Sequence, residues 1–265
     1  MFSLRLKCAT GEIDLISADL WEAGTVGIRE LDEGDGVCLI AAFETEEACL
    51  DLLHRFASHE VSWIREDSIN WVEATYRAWP ARAIGQHIFL TPPWCIDETP
   101  PGRVRVIHNP GLASGTGEHP GTQLALTALE AASLAGKTVV DIGTGSGVLA
   151  IAALRLGASV AIGIDTDEAA LTSARENFAL NNLPPFLVAG SADCLRAGCA
   201  AITVANISAT VLLSIADDLI RITGPGGQLI LTGFAECELP AVQQNFGDGQ
   251  VTSCDEWRCL TVQLS

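Results

Sequence analysis

A glycine-rich stretch carries the strongest chemical signal in the sequence. Residues 139–142 form a short apolar run that contains Asp141, and the sequence Gly-Thr-Gly-Ser-Gly follows directly at 143–147. Closely spaced glycines at the start of a helix let backbone N–H groups approach a ligand. The dinucleotide fingerprint G-x-G-x-x-G would need glycine at position 148, where Val148 stands. The turn therefore indicates a ligand site, and a nicotinamide dinucleotide fits it poorly.

A carboxylate stands at the distance from this turn that ribose recognition requires. Asp165 closes the apolar run at 162–164 and follows the glycine turn by about 20 residues. At that position a carboxylate can accept hydrogen bonds from both hydroxyls of a ribose. Taken alone, Asp165 is equally well explained as an exposed acid at a strand end. Its occurrence together with the glycine turn favours ribose binding.

Three other motifs are weaker. A G-x-S-x-G nucleophile elbow around Ser146 would need glycine at 144, where Thr144 stands, so hydrolase chemistry is not indicated. Asn206-Ile207-Ser208 matches a glycosylation acceptor, but it follows a predicted buried strand and the chain starts without a signal-peptide pattern. The nine cysteines form no C-x-x-C pair and have no histidine at metal-ligand spacing. We therefore expect reduced structural thiols and no metal site.

Alternating strands and helices position these residues in the second part of the chain. The pattern predicts strands at 87–90, 104–108, 138–142, 160–164, 186–189, 202–205, 228–232 and 258–264, and helices at 119–133, 147–156, 168–182, 209–222 and 238–246. Short turns between apolar strands and helices predict an α/β fold with a Rossmann-like, doubly wound and mainly parallel sheet. In such a sheet the glycine turn and Asp165 lie at the same edge, where parallel strands end.

The first part of the chain has a different pattern. Strands are predicted at 2–8, 26–31, 37–43 and 61–65, and helices at 13–22 and 46–57. The order β-α-β-β-α-β is that of a small ferredoxin-like α+β domain. Trp71, Tyr76 and Trp79 lie close together after it, which is unusual for a flexible linker and indicates an ordered, helical connector. We therefore divide the chain into an N-terminal domain (1–66), a connector (67–86) and a second domain (87–265).

The charge balance restricts the class of partner. The 265 residues include 33 Asp and Glu against 15 Lys and Arg, a formal net charge of -18, and 48% are apolar. Residues 1–66 hold 14 acids and 5 bases. Such acidity argues against direct nucleic-acid binding and against an anionic membrane surface, and it favours a basic protein partner. The sequence shows no targeting segment and no apolar span, so we expect a soluble cytoplasmic protein. It gives no indication of the oligomeric state.

Four segments together resemble a known family. Asp-Ile-Gly-Thr-Gly-Ser-Gly at 141–147 and Ile-Gly-Ile-Asp at 162–165 resemble the S-adenosylmethionine site of class I methyltransferases. Two further segments are Asn-Pro-Gly-Leu-Ala-Ser-Gly-Thr-Gly-Glu-His-Pro-Gly-Thr at 109–122 and Val-Ala-Asn-Ile at 204–207. They resemble the bacterial methyltransferase family that modifies the eleventh protein of the large ribosomal subunit (PrmA). The resemblance extends over nearly the whole chain, including the ferredoxin-like start and the Asp-Glu-Trp at 255–257.

This resemblance implies a set of site residues. It implies that the cofactor is contacted by Thr122, Gly143, Gly145, Asp165 and Asn206, and that the loop containing Gly115, Thr116 and Gly117 closes over its methionine end. Asn206, at the end of the strand predicted at 202–205, is the candidate catalytic residue, because its side-chain or backbone carbonyl can accept an N–H of the amine that receives the methyl group. The alternative is a turn residue at a strand end.

The sequence departs from the family pattern at two positions. Ser114 stands where a phenylalanine is usual, and Gly121 replaces the first of two threonines after His-Pro. Two roles stay open. His119 is either a base or a structural anchor of the loop-to-helix junction. Asp193 is either an adenine contact or an acid at a helix N-terminus.

The function implied is methyl transfer from S-adenosylmethionine to lysine ε-amines and the N-terminal α-amine of the large-subunit ribosomal protein. An alternative in the same enzyme class is methylation of another protein, such as the β subunit of electron-transfer flavoprotein, which relatives of the family modify. A dinucleotide-dependent oxidoreductase or a nucleotide-binding module is the alternative from a different class, and Val148 counts against it.

Overall fold

The computed structural model describes residues 2–32, 36–65, 79–109 and 119–265. The chain forms two compact units, Met1–Ala78 and Trp79–Ser265. Within the described ranges, no helix is both long enough and apolar enough to cross a bilayer.

In the residues of the first unit that the structure describes, a four-stranded antiparallel sheet is accompanied by two α-helices. Its elements are β1 (Phe2–Cys8), a helix (Ile13–Glu22), β2 (Gly27–Asp32), β3 (Val37–Phe43), a helix (Glu46–Arg55) and β4 (Glu60–Arg65). The strand order is β2-β3-β1-β4, with every neighbouring pair antiparallel. In this order β3 lies between β1 and β2, which is the split β-α-β arrangement of ferredoxin-like folds. The predicted element order is therefore confirmed.

The core of this unit follows from the periodicity of its elements. Leu4 and Leu6 point to the same face of β1 and are fully buried. Ile16 and Leu20 lie one helical turn apart on the first helix and pack into the same cluster. Alternating apolar side chains on the strands and a four-residue spacing on the helix thus cover one face of the sheet.

The second unit contains a seven-stranded sheet and a smaller three-stranded one. Its strands are β5 (Arg82–Ile84), β6 (Ile88–Thr91), β7 (Val104–Ile107), β8 (Thr138–Ile142), β9 (Val160–Asp165), β10 (Phe186–Ala189), β11 (Ile202–Asn206), β12 (Gln228–Ala235), β13 (Gln250–Cys254) and β14 (Trp257–Gln263). Its helices are Pro120–Ala131, Val148–Arg155, Glu168–Leu180, Ala209–Ser214, Ala216–Thr223 and Leu239–Phe246.

The large sheet has the order β10-β9-β8-β11-β12-β14-β13. The strands from β10 to β12 pair in parallel, and β14 joins β12 and β13 in antiparallel fashion. Side chains on neighbouring positions enter separate cores: Val139 belongs to one buried cluster and Val140 to the other. The sheet is therefore covered on both faces, as its continuous apolar strands predict.

Strand order creates a switch point at β8. The chain proceeds outward from β8 to β9 and β10 on one side, and continues with β11 on the other side. The loops after β8 and β11 therefore diverge, leaving a crevice at the carboxyl ends of these strands. This crevice positions the candidate site.

Three features of the second unit differ from the sequence prediction. The helix predicted at 209–222 is two helices that break at Ile215. Strand β13 was not predicted, because its side chains are mostly exposed and give no apolar alternation. Arg82–Ile84, assigned by sequence to the connector, form β5 and pair with β6. Residues 67–78 of the predicted helical connector lie outside the described residues.

Candidate functional site

A cavity of about 1060 Å³ lies within the second unit, at the carboxyl ends of the parallel strands. Its described lining comes from the segments that follow four of these strands: Gly143 to Gly145 after β8, Asp165 to Asp167 after β9, Gly190 and Ser191 after β10, and Asn206 to Ser208 at the end of β11. Gly233 of β12, Trp257 of β14 and residues of the neighbouring helices also line it. The cavity therefore occupies the switch-point crevice.

The glycine turn needs its glycines for conformation and for space. Gly143, Gly145 and Gly147 have φ values of 68°, 53° and 80°, in the left-handed region that side chains disfavour. A Cβ atom on Gly143 would also lie 2.3 Å from Cγ2 of Ile207. Any larger residue at 143 would therefore strain the backbone of the turn and collide with the side chain of Ile207.

Asp165 is held by two backbone groups. Its Oδ2 accepts a hydrogen bond from the N–H of Gly145 at 2.9 Å, and its Oδ1 accepts one from the N–H of Asp167 at 3.0 Å. Each carboxylate oxygen has a second lone pair, so the side chain can still accept two hydroxyl donors. The half-buried carboxylate lines the cavity and has the chemistry and the restraint that a ribose site needs.

Asp141, two residues before the turn, lies beneath the cavity and does not line it. Its Oδ2 accepts hydrogen bonds from Thr144 Oγ1 at 2.7 Å and from the N–H of Ala150 at 3.2 Å. Its Oδ1 is buried and has no hydrogen-bond partner among the described residues. Burial raises the pKa of Asp141 to about 7, the two hydrogen bonds oppose this rise, and the charge of Asp165 adds to it. Asp141 thus fixes the turn from inside the core.

Asn206 and Thr122 meet at the other side of the cavity. Nδ2 of Asn206 donates to Oγ1 of Thr122 at 3.1 Å, and both residues line the cavity. Because this bond uses the amide nitrogen, the carbonyl Oδ1 of Asn206 is the atom left to accept a further donor. The structure therefore brings together two residues that are 84 positions apart in the sequence.

Gly121 has a structural explanation. A Cβ at this position would lie 3.0 Å from Oδ1 of Asn206 and 3.1 Å from Nδ1 of His119. Both neighbours would have to shift by a few tenths of an ångström to accept a side chain. Glycine here leaves more room around Asn206 than the usual threonine would.

His119 has the contacts of an anchor. It is the N-cap of the helix Pro120–Ala131, and its Nδ1 accepts a hydrogen bond from the N–H of Gly121 at 3.1 Å. Its ring packs edge-on against Trp257, with 4.3 Å between ring centroids. Both rings line the cavity. These contacts orient His119 and engage one of its two nitrogens.

Asp193 does not belong to the described cavity lining. It is exposed and lies in the short turn Ala192–Cys194. Arg221 holds this turn by donating to the carbonyl oxygens of Ala192 and Leu195. Ser114, Gly115, Thr116 and Gly117 lie outside the described residues.

Other lining residues were not identified from the sequence as site residues. Ile207, Gly233 and Trp257 reach the cavity because β11, β12 and β14 are neighbours in the sheet, and no local motif signals this. Asn109 and Asn177 also line it.

The charge of the cavity favours a cationic ligand. Three carboxylates, Asp165, Asp167 and Glu176, belong to its described lining, which includes neither Lys nor Arg. A sulfonium cofactor and a basic acceptor would both be attracted, whereas a phosphate-bearing dinucleotide would be repelled. The glycine cradle, the ribose-type carboxylate and this charge together fit S-adenosylmethionine.

Fold and site define a class I, S-adenosylmethionine-dependent methyltransferase. The chain belongs to the ribosomal protein L11 methyltransferase (PrmA) family, whose model matches residues 4–265. This membership sets aside the dinucleotide-dependent alternative.

Individual relatives agree with the family match. The chain is 34% identical over 237 residues to the ribosomal protein L11 methyltransferase of Hahella chejuensis, covering 89% of this chain and 77% of that one. It is 34% identical over 269 residues to that of Geobacter metallireducens, covering 94% and 89%. The crystal structure of a ribosomal protein L11 methylase from Lactobacillus delbrueckii subsp. bulgaricus is similar with a TM-score of 0.63 and 30% identity, over 71% of this chain and 99% of that one.

Proposed function

We propose that this enzyme transfers methyl groups to lysine ε-amines and the N-terminal α-amine of ribosomal protein L11. The observation that carries the proposal is the convergence of the glycine turn, Asp165 and the Asn206–Thr122 pair around one acid-lined cavity. The family relatives bear the name of this activity. A basic protein substrate suits the net charge of -18.

The cofactor supplies a sulfonium-activated methyl group and its own leaving group. The protein therefore has to position an amine that has lost its extra proton, in line with the carbon–sulfur bond that breaks. Oδ1 of Asn206 accepts an N–H of this amine, and the bond from Nδ2 to Thr122 keeps Oδ1 facing the cavity. An amine held by this bond would keep its lone pair free to accept the methyl group that the cofactor would supply. Asn206 is thus assigned as the catalytic residue.

The remaining residues bind the cofactor. Asp165 accepts the ribose hydroxyls, while Gly143 and Gly145 give the backbone a close approach to the ligand. Thr122 lies beside the acceptor position with its hydroxyl engaged by Asn206. Thr116 and Gly117 keep the role that the family resemblance implies, closing over the methionine end.

The N-terminal domain is assigned to substrate recognition. Residues 1–66 hold 14 acids and 5 bases, whereas all described lining residues of the cavity come from position 109 onward. A separate acidic unit can attract a basic ribosomal protein without disturbing the cofactor site. Since ribosomal proteins are made and assembled in the cytoplasm, the enzyme is assigned to that compartment.

Purified enzyme incubated with S-adenosylmethionine and purified ribosomal protein L11 should give stepwise single-methyl mass increases on lysines and on the N-terminal amine. Asn206→Ala should lower kcat by about tenfold or more, because the amine loses its acceptor. Asn245→Ala, on the exposed face of the helix Leu239–Phe246, is the matched control and should leave turnover unchanged. The β subunit of electron-transfer flavoprotein is tested in parallel. Methylation of that protein and not of L11 would overturn the substrate assignment.

A further inference from the structure

Two asparagines tie a short extended segment to the helix Glu168–Leu180. The side chain of Asn181 accepts the N–H of Ile107 at 2.9 Å and donates to its carbonyl oxygen at 2.6 Å. The side chain of Asn177 accepts the N–H of Asn109 at 2.8 Å and approaches its carbonyl oxygen at 3.5 Å. Each amide therefore pairs with both backbone groups of one residue, as a neighbouring β-strand would.

The spacing of the two pairs is matched. Asn177 lies in the helix and Asn181 is its C-cap residue four positions later, so the two side chains follow one face about 6 Å apart along the axis. Ile107 and Asn109 are two residues apart in an extended segment, about 6.6 Å apart and facing the same way. The helix can thus hold alternate residues of the segment without distorting either element.

Only one of the two asparagines also reaches the glycine turn. Nδ2 of Asn177 donates to the carbonyl oxygen of Ser146 at 3.0 Å. From the segment, Nε2 of His108 is hydrogen-bonded to Oγ of Ser146 at 2.8 Å. Asn177, His108 and Ser146 are all buried, with Asn177 only 1% exposed. Ser146 is therefore fixed through its carbonyl group and its side chain, and it is not an accessible nucleophile.

We propose that Asn177 is a positioning residue for the cofactor. Its amide links Asn109, which lines the cavity, to Ser146 in the glycine turn. Gly143 and Gly145 of the same turn also line the cavity. The link holds two walls of the cavity at a fixed distance before the ligand arrives, which reduces the ordering that binding must supply. Asn181 anchors the same segment but neither it nor Ile107 belongs to the described lining. The inference rests on the proposed identity of this cavity as the cofactor site.

A carboxamide is the group this position needs. It presents an acceptor to the N–H of Asn109 and a donor to the carbonyl of Ser146. Aspartate would keep the acceptor and place a second acceptor against Ser146. Alanine would remove the acceptor for the N–H of Asn109 and the donor to the carbonyl oxygen of the buried Ser146, which costs free energy at both walls.

The test compares Asn177→Ala and Asn177→Asp with Asn181→Ala. The dissociation constant of S-adenosylhomocysteine is measured by calorimetry, together with kcat, the KM for S-adenosylmethionine and the thermal unfolding midpoint. Both Asn177 variants should bind about tenfold more weakly and raise KM, with kcat at saturation changed less than about threefold. Asn181→Ala should lower the unfolding midpoint about as much as Asn177→Ala does. It should leave the dissociation constant of S-adenosylhomocysteine and the KM for S-adenosylmethionine within about twofold of wild type.

Unchanged affinity in the folded Asn177 variants, or equal loss of affinity in Asn181→Ala, would overturn the proposal. If Asn177→Ala does not fold, Asn177→Ser replaces it, since a hydroxyl is too short to reach both partners. Wild-type binding of S-adenosylhomocysteine is measured first. If the wild-type protein does not bind S-adenosylhomocysteine, the cofactor assignment itself is refuted. If the wild-type protein binds it and the Asn177 variants bind it equally well, only the role of Asn177 is refuted.

Discussion

Two aspartates near the glycine turn illustrate how environment separates roles at the residue scale. Asp141 is fully buried and its pKa rises to about 7, so near neutral pH much of it is protonated and its contacts are internal. Asp165, twenty-four positions later, lines the cavity and accepts two backbone N–H groups. Only the second side chain has free lone pairs facing a ligand. Acids of the same type thus have a structural role and a binding role in one site.

Asp165→Ala should weaken S-adenosylhomocysteine binding by about tenfold to a hundredfold, because the ribose hydroxyls lose a charged acceptor. Calorimetry on the folded variant measures this. Asp248→Ala removes the same charge from an exposed position in the same unit and controls for net charge. A dissociation constant equal to that of wild type in the Asp165 variant would remove this carboxylate from the site.

A site residue could be predicted from the sequence when it lies at a regular distance along the chain from another residue of the site. The glycine turn and Asp165 were identified because a strand end, a turn and the next strand end are about 20 residues apart in any unit of this kind. Trp257 lies more than a hundred positions beyond Asn109, and only the pairing of β14 with β12 brings it to the cavity. Asn177 is indistinguishable in sequence from a polar residue on an exposed helix face. Sequence periodicity carries no information on such contacts.

At the element scale, prediction succeeded where burial imposes a pattern. Strands β8 and β10 were predicted with the observed bounds, because both are apolar runs bounded by polar or turn residues. Strand β12 was predicted to end at Thr232 but continues to Ala235, past a register shift between Thr232 and Phe234. Gly233 at this irregularity has a φ of 92° and would place a Cβ 2.5 Å from the carbonyl oxygen of Ile207. Gly233 permits this close approach within the strand, whereas in the sequence a glycine at this position indicates the end of a strand.

His108 and Asp141, which lies in β8, should contribute to stability with opposite pH dependences. Burial lowers the pKa of His108 to about 4 in the folded protein. In the unfolded chain the same side chain binds a proton below about pH 6.5. Its contribution to stability is present above that pH and is lost as pH falls toward 4. Asp141, with its pKa raised to about 7, holds a proton that the unfolded state releases. Its contribution is present at low pH and is lost as pH rises through 7.

Denaturant unfolding of the full chain at several pH values between about 4 and 7 tests both signs. Relative to wild type, Asp141→Asn should gain unfolding free energy as pH rises, and His108→Asn should gain it as pH falls, each by up to about 3 kcal/mol across the window. In the wild-type protein the two contributions have opposite signs. Parallel curves for wild type and both variants would show that neither group titrates differently on unfolding.

At the scale of the whole molecule, both units carry a surplus of acids, and the described cavity lining belongs to the second. The second unit contains all the described cavity lining, and the first contributes a net surplus of acids without contributing to that lining. Long-range attraction increases the rate at which a basic substrate is captured, and it does so without changing the chemistry at the methyl group. Cofactor binding and substrate capture should therefore respond differently to the loss of the first unit and to salt.

Removal of residues 1–78, at the division between the units, should leave the dissociation constant of S-adenosylhomocysteine within about threefold of the full-length value. Methylation of ribosomal protein L11 should fall by about a hundredfold or more in kcat/KM, because the encounter surface is gone. In the full-length enzyme, kcat/KM should also fall as salt rises from about 0.05 to 0.5 M, since the Debye length shortens below about 10 Å, while kcat stays nearly constant.

Both enzymes are first shown to bind S-adenosylhomocysteine, so that misfolding of the shorter chain is separated from loss of recognition. The salt series on the full-length protein supplies a second measurement that needs no deletion. If the acids of residues 1–66 only keep the unit hydrated, the truncated enzyme will methylate L11 as fast as the full-length one and kcat/KM will be insensitive to salt. A fall in both measurements, with cofactor affinity preserved, assigns substrate capture to the first unit and methyl transfer to the second.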